Sequence, residues 1–134
     1  NIGAIIRTAY SLGIDAVVAS TVKTLHHQGI VTTSAGAMLD MPFTIYPKSA
    51  DLANELHQCG FALIGATMDG VDLKKYGKIT SDDKVALFLG SEGEGISKKV
   101  ASKLDLKVSI GMEHEFDSLN VSVAAGILIY NLKK

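Results

Sequence analysis

A five-residue apolar run, Val85-Ala86-Leu87-Phe88-Leu89, ends abruptly on Gly90-Ser91-Glu92-Gly93-Glu94-Gly95. The run is short and lacks polar alternation, so it reads as a strand buried on both faces, as in parallel sheets. Three glycines in six residues let a backbone adopt positive φ and approach another chain or a ligand closely. Ligands of α/β folds bind beyond the carboxyl ends of parallel strands. The stretch is therefore a ligand loop or a Gly-rich turn with solvated acids. Two familiar phosphate loops are excluded. A dinucleotide fingerprint needs the order G-x-G-x-x-G, and a P-loop needs Lys after its second spaced glycine, where Ile96 stands here.

Helical and strand patterns alternate along the rest of the chain, which predicts an α/β fold with a largely parallel sheet. Asn1 is placed to cap a helix with apolar positions Ile2, Ile5, Ile6 and Ala9, stopped by Gly13. Ala16 to Ala19 reads as a short strand, and a helix is expected near Ile30–Met38, before Pro42. Phe43 to Tyr46 is a second strand. Ser49 then caps a helix through Leu52, Leu56 and Cys59, ended by Gly60. Phe61 to Ala66 reads as a buried strand, and residues 67–83 as a polar connection with one helical turn at Leu73–Tyr76. After the Val85–Leu89 strand, Ser97 caps a helix through Val100 and Leu104. Leu106 to Ile110 is a strand, and a last helix runs from Asn120 to Leu132.

The 134 residues fit one domain, here 1–134, and suffice to bury a core. A composition of 47% apolar and 20% charged residues excludes a disordered chain. The net charge of −1 argues against gripping nucleic acid by bulk electrostatics alone. Local charge, a dimer or a separate domain would have to supply it. Lys74-Lys75, Lys98-Lys99 and Lys133-Lys134 are the modest basic clusters. The single cysteine, Cys59, excludes an intramolecular disulfide and fits a reducing, cytoplasmic setting; it reads as a small half-buried residue at a helix end. No signal peptide or membrane-length apolar run is present. The chain starts at Asn1, inside a motif and without Met, so further residues are expected before it. His26, His27, His57 and His114 lack the spacing of a zinc site, and no metal is expected; His114 lies near a motif and Met38, Met41 and Met68 read as packing.

Two other stretches are chemically suggestive. Asp117-Ser118-Leu119-Asn120-Val121-Ser122-Val123-Ala124-Ala125-Gly126 crowds small and hydroxyl residues at a helix start, which helix capping and close packing would also explain. In Asn1-Ile2-Gly3-Ala4-Ile5-Ile6-Arg7-Thr8-Ala9, Arg7 stands among apolar neighbours near a helix N-terminus. A cation there opposes the helix dipole, so it calls for an anionic partner: a phosphate, or the carboxylate of a surface ion pair.

In order, these stretches resemble the three motifs of the SpoU/TrmH branch of the SPOUT superfamily of RNA methyltransferases. Asn1-x-Gly3-x-x-x-Arg7 is similar to motif 1, Leu87 to Gly95 to motif 2, and Ile110-Gly111-Met112 followed by Ser118 to Ala124 to motif 3. Thr33-Ser34-Ala35-Gly36-Ala37 resembles the intervening segment. The chain departs from the family in having Gly111 where proline is usual. The wording of motifs 2 and 3 is most similar to enzymes that modify guanosine in large-subunit rRNA.

The resemblance implies a mostly parallel sheet flanked by helices with a deep C-terminal trefoil knot, which periodicity alone does not show. It implies a homodimer that transfers methyl from S-adenosylmethionine, leaving S-adenosylhomocysteine, to a ribose 2′-hydroxyl of structured RNA, without a metal. By position, Gly90, Ile110 and Leu119 would line the donor pocket, with Thr67, Leu89, Glu92, Gly93, Met112 and Ser118 nearby. Arg7 would be the catalytic residue, organised by Asn1, Glu92, Ser118 and Asn120, in part from the partner subunit. A guanidinium is a poor base, so Arg7 is expected to bind the adjacent phosphate and stabilise the developing alkoxide. The alternatives are a tRNA ribose 2′-O-methyltransferase, a non-catalytic RNA- or nucleotide-binding module of the same fold, and an unrelated α/β nucleotide-binding enzyme.

Overall fold

The computed structural model describes residues 2–20, 40–76, 83–91, 94–114 and 119–133. The expected helix near Ile30–Met38, the Asn1 cap, Thr33 to Ala37, His26, His27, Met38 and Lys134 lie outside the described residues. Two compact units divide the chain, one of Asn1–Ser49 with Ser122–Lys134, the other Ala50–Val121.

The first unit contains helix α1 (Ile2–Ser11), strands β1 (Val17–Ser20) and β2 (Phe43–Tyr46), and nearly all of helix α4 (Val121–Lys133). Gly3, Ile6 and Ala9 recur on one face of α1 and are buried. The helix stops because Gly13 adopts φ +80°, which a side chain rarely tolerates. Gly13 N–H then donates to Tyr10 O and Ile14 N–H to Ala9 O, the paired bonds of a Schellman end. β1 and β2 pair in parallel, Val17 opposite Phe43. On α4, Ala125, Leu128 and Ile129 are buried, and Gly126 lies beside Thr8 of α1, where a methyl would touch Thr8 Cγ2 at 3.6 Å.

The second unit is built on strands β3 (Ala62–Asp72), β4 (Val85–Phe88) and β5 (Leu106–Ser109), in the order β4-β3-β5, with both pairings parallel. Helices α2 (Ser49–Gln58) and α3 (Lys98–Ala101) belong to the connections. Gly60, at φ +88°, ends α2 through a second Schellman pair, Gly60 N–H to His57 O and Phe61 N–H to Leu56 O. Leu63, Ile64 and Val108 are almost fully enclosed, each contributing about 1.5–3 kcal/mol of burial. A reciprocal clamp fixes the entry to β5: Leu63 N–H donates to Asp105 Oδ2 at 2.7 Å, and Asp105 N–H to Leu63 O at 2.8 Å. Gly65 leaves room for Leu104 and Ile96, whose methyls occupy the place of its missing side chain.

Several expectations need correction. β3 continues to Asp72, six residues past Ala66, although residues 67–72 read as a polar connection. The extension is held by contacts distant in sequence, since Ser109 Oγ donates to Gly70 O at 2.9 Å. Gly70 also lies so close to the Lys107–Val108 backbone that a Cβ would collide with it. Ser97 caps α3, its Oγ accepting from Val100 N–H at 3.3 Å, but the helix ends at Ala101 instead of reaching Leu104. Ser49 begins α2 as its first residue. Cys59 is exposed and not half-buried; it lies just past the last residue of α2. Met41 is buried as expected, whereas Met68 is 80% exposed. Among the described residues no helix is long and apolar enough to cross a membrane.

Candidate functional site

In the second unit, β4 and β5 end close to the level at which β3 breaks its register with β5 after Ala66. Gly65 pairs with Phe88 and Ala66 with Val108, so the bulge that Thr67 opens, Leu89-Gly90 after β4 and Ile110 after β5 lie at the same carboxyl edge. This edge brings together four residues singled out from sequence: Thr67, Leu89, Gly90 and Ile110.

Two features shape the edge. The first is the loop after β4. Gly95, at φ +70°, donates its N–H to Ser91 O at 2.9 Å, and Ser91 and Gly95 form an antiparallel bridge. The turn folds back so tightly that a Cβ on Gly90 would overlap the backbone of Gly95 and Ile96, which cannot yield as a side chain can. Gly90 is therefore required by contact and Gly95 by dihedral angle. Glu92 and Gly93 lie outside the described residues, and Glu94 is exposed.

The second feature is a four-residue excursion in β3. Ala66 and Val71 both pair with Val108, so residues 67–70 loop out and return to the same point on β5. Thr67 opens this loop with a buried hydroxyl, Oγ1, that has no hydrogen-bond partner among the described residues. A buried hydroxyl left unsatisfied costs about 1–3 kcal/mol, which a polar ligand atom at this edge would offset.

Ile110 is half-buried and Met112, two residues on, is exposed; Leu119 is half-buried. Asn120, just before α4, is exposed and hydrogen-bonded or otherwise engaged. Asn1 and Ser118 lie outside the described residues. Sequence reasoning missed Asp72 and Ser109 as parts of this edge. Asp72 left a signal: its carboxylate caps the 3-10 turn Leu73–Lys75, accepting from Lys74 N–H, as Asp before a short helical pattern does. Ser109 left none.

Arg7 belongs to the first unit and is exposed. It is the sixth residue of α1, past the first turn, where the helix dipole no longer acts strongly; the dipole argument made from sequence does not apply. Ala4, Arg7, Thr8, Ser11 and Leu12 line an open depression of about 530 Å³ on the side of α1 away from Gly3, Ile6 and Ala9. The guanidinium thus sits on a surface with room for a partner. Lys74, Lys75, Lys98 and Lys99 are exposed, as are His57 and His114. Among the described residues no group of three His, Cys, Asp or Glu side chains is placed to hold a metal.

Comparison with known proteins gives this geometry its family. Residues 1–130 match the model of the SpoU rRNA Methylase family. An uncharacterized tRNA/rRNA methyltransferase of Borreliella burgdorferi is 35% identical over 135 aligned positions, covering 100% of this chain and 58% of its own length. The SpoU methyltransferase AviRb of Streptomyces viridochromogenes, solved in complex with the cofactor AdoMet, superposes with a TM-score of 0.85 at 25% identity, over 98% of this chain and 51% of its own. A solved RNA 2′-O ribose methyltransferase superposes equally well, with a TM-score of 0.85 at 25% identity, over 98% of this chain and 50% of its own. The chain thus spans little more than half the length of these relatives. A family model that covers nearly the whole sequence, on a parallel α/β framework shared with solved members, establishes that the chain belongs to the SpoU rRNA methylase family.

Proposed function

We infer that this chain is the catalytic part of an S-adenosylmethionine-dependent RNA ribose 2′-O-methyltransferase. The carrying observation is the carboxyl edge of the β4-β3-β5 sheet, which places the close-packed Gly90 loop at the same end as Thr67, whose buried hydroxyl has no partner among the described residues. Such an edge fits S-adenosylmethionine. Adenine needs an apolar slot with a few polar contacts; Leu89, Ile110, Met112 and Leu119 supply apolar surface, the Gly90 backbone permits close approach, and Thr67 Oγ1 has a hydrogen bond to give or accept. Glu92, Gly93 and Ser118 complete this set by their place in the motifs. When bound, the cofactor supplies a methyl group on a sulfonium, already activated for transfer to the ribose 2′-oxygen. The two relatives solved as an AdoMet complex and as an RNA 2′-O ribose methyltransferase support both halves of the reading.

The protein's share is orientation and charge. Arg7, exposed beside an open depression, holds the phosphate next to the target ribose and stabilises the alkoxide as the 2′-hydroxyl loses its proton. Asn1, Glu92, Ser118 and Asn120 organise the site. The RNA is rRNA, with guanosine as the target nucleoside, in preference to tRNA. This finer reading rests on the wording of motifs 2 and 3. The exposed Lys74, Lys75, Lys98 and Lys99 supply local positive charge for it, and a cytoplasmic site of action fits both RNA and the lone thiol.

The reading includes a homodimer and the family's trefoil knot. Val123, Ile127 and Tyr130 recur along α4 and are 51%, 40% and 66% exposed, an apolar stripe suited to a second copy. The knot rests on the resemblance of motifs 2 and 3 to those of the family.

The test is methyl transfer from labelled S-adenosylmethionine to unmodified rRNA and tRNA, using the full-length protein beside Arg7→Ala. Incorporation that protects the adjacent linkage from alkali, and that is lost in the variant, is expected. Tight S-adenosylhomocysteine binding with no transfer to any RNA would instead establish a non-catalytic module.

A further inference from the structure

Asp72 ends β3 and opens the 3-10 turn Leu73–Lys75. Its backbone pairs with Ser109 of β5. Its Oδ1 accepts a hydrogen bond from Lys74 N–H at 3.0 Å, so the carboxylate is tethered to its own turn. The second oxygen, Oδ2, lies against Gly111: a Cβ at position 111 would overlap Oδ2 and come within 2.9 Å of Cγ. The carboxylate therefore occupies the volume that a side chain at 111 would need. Rotating it away would disturb the bond to Lys74, which keeps the carboxylate in this place.

Neighbouring contacts make this seat rigid. Ser109 Oγ bonds to Gly70 O, and Gly70 presses on the Lys107–Val108 backbone, so segments 70–72 and 107–111 run against each other as one body. The Lys74–Glu113 ion pair links the same segments at 3.9 Å, but both side chains are largely exposed, and such a pair contributes little. Gly111 stands between Ile110 and Met112, the two residues that the function proposed above places in the cofactor slot.

We propose that Asp72 is a positioning residue for cofactor binding: seated in the side-chain space of Gly111, it fixes the path of residues 110–112 and thereby the width of the slot. The cofactor half of this inference rests on the proposed function; the seat itself rests on geometry alone. Asp72 touches no reacting atom in this account, so its effect falls on affinity and not on the rate of the chemical step.

The experiment is a double-mutant cycle in the full-length protein. S-adenosylhomocysteine affinity is measured by calorimetry, melting temperature in parallel, and kcat at saturating methyl donor. Asp72→Ala empties the seat, and Gly111→Ala drives the carboxylate off it; each is expected to raise the Kd about tenfold, equivalent to about 1.4 kcal/mol, with kcat changed less than about twofold. The double variant refills the seat with the alanine methyl and is expected to bind within about threefold of the unaltered protein, since contacting residues couple non-additively. Asp72→Asn keeps the shape and one acceptor oxygen, and is expected to retain affinity. A double variant whose loss is the product of the single losses would overturn the shared seat. Single variants that lower the melting temperature while leaving the Kd unchanged would reduce Asp72 to a turn cap. If the unaltered protein fails to bind S-adenosylhomocysteine, the proposed function fails instead. The melting-temperature cycle then decides the seat: non-additive shifts support it and additive shifts refute it.

Discussion

Gly90 and Gly95 sit five residues apart in one loop, yet the structure requires them for different reasons. Gly90 has backbone against its Cα, so Gly90→Ala forces main-chain atoms apart. That change is expected to cost about 1–3 kcal/mol as overpacking does, and to abolish cofactor binding measured by calorimetry. Gly95 has open space around it and only an unfavourable φ. Gly95→Ala is expected to cost about 1–2 kcal/mol and to leave weakened but measurable binding. Equal effects of the two substitutions would contradict this assignment. Arg7 poses a different question, about chemistry and not packing. Arg7→Ala is expected to lower kcat about 10²–10³-fold, the usual loss of an oxyanion-stabilising donor, with no change in melting temperature because the side chain is exposed. Arg7→Lys is expected to recover little of the rate, since a point charge does not replace a planar fork on phosphate; near-full activity there would exclude a bidentate role.

At the scale of elements, the clamp between Leu63 and Asp105 at the entry to β5 gives a direct test of stability. Asp105→Ala leaves the enclosed Leu63 N–H without its acceptor and is expected to cost about 1–3 kcal/mol in urea unfolding. Asp105→Asn keeps an acceptor oxygen and is expected to lose less. The elements that periodicity predicted well are those whose boundaries are set locally. Gly13 and Gly60 end α1 and α2 by their own positive φ, Ser97 begins α3 by its own hydroxyl, and the apolar runs of β2 and β4 stand almost where they were read. The misread stretch, residues 67–72, is polar and exposed in part; it is a strand only because Ser109 and the Lys107–Val108 backbone, some 40 positions on, meet it there. No window on the sequence contains both partners. The candidate site divides in the same way. Gly90 and Ile110 are legible from a glycine loop and a strand end, whereas the burial of Thr67 Oγ1 without a partner among the described residues and the fit of Asp72 to Gly111 exist only once distant segments are side by side.

At the scale of the whole molecule, the apolar stripe on α4 gives the proposed homodimer its test. Ile127 and Tyr130 are exposed where the buried Leu128 and Ile129 beside them are not, so charge at 127 and 130 leaves the helix's own packing intact. Ile127→Asp with Tyr130→Glu is expected to convert the full-length protein from dimer to monomer in sedimentation velocity, with the far-ultraviolet dichroism unchanged. A wild-type protein that sediments as a monomer at micromolar concentration would remove the dimer from the proposed function.

The reciprocal clamp between Leu63 and Asp105 also bears on how the molecule comes to exist. These residues are 42 positions apart, and every pairing of β3 is parallel, so no hairpin can protect it early. At a synthesis rate of roughly 5–20 residues per second, Leu63 leaves the ribosome about 2–8 s before Asp105 does. During that interval one edge of β3, with the buried Leu63 and Ile64 on it, has no native partner. An unpaired strand edge is aggregation-prone, so an Asp105 variant that pairs late leaves that edge open for longer.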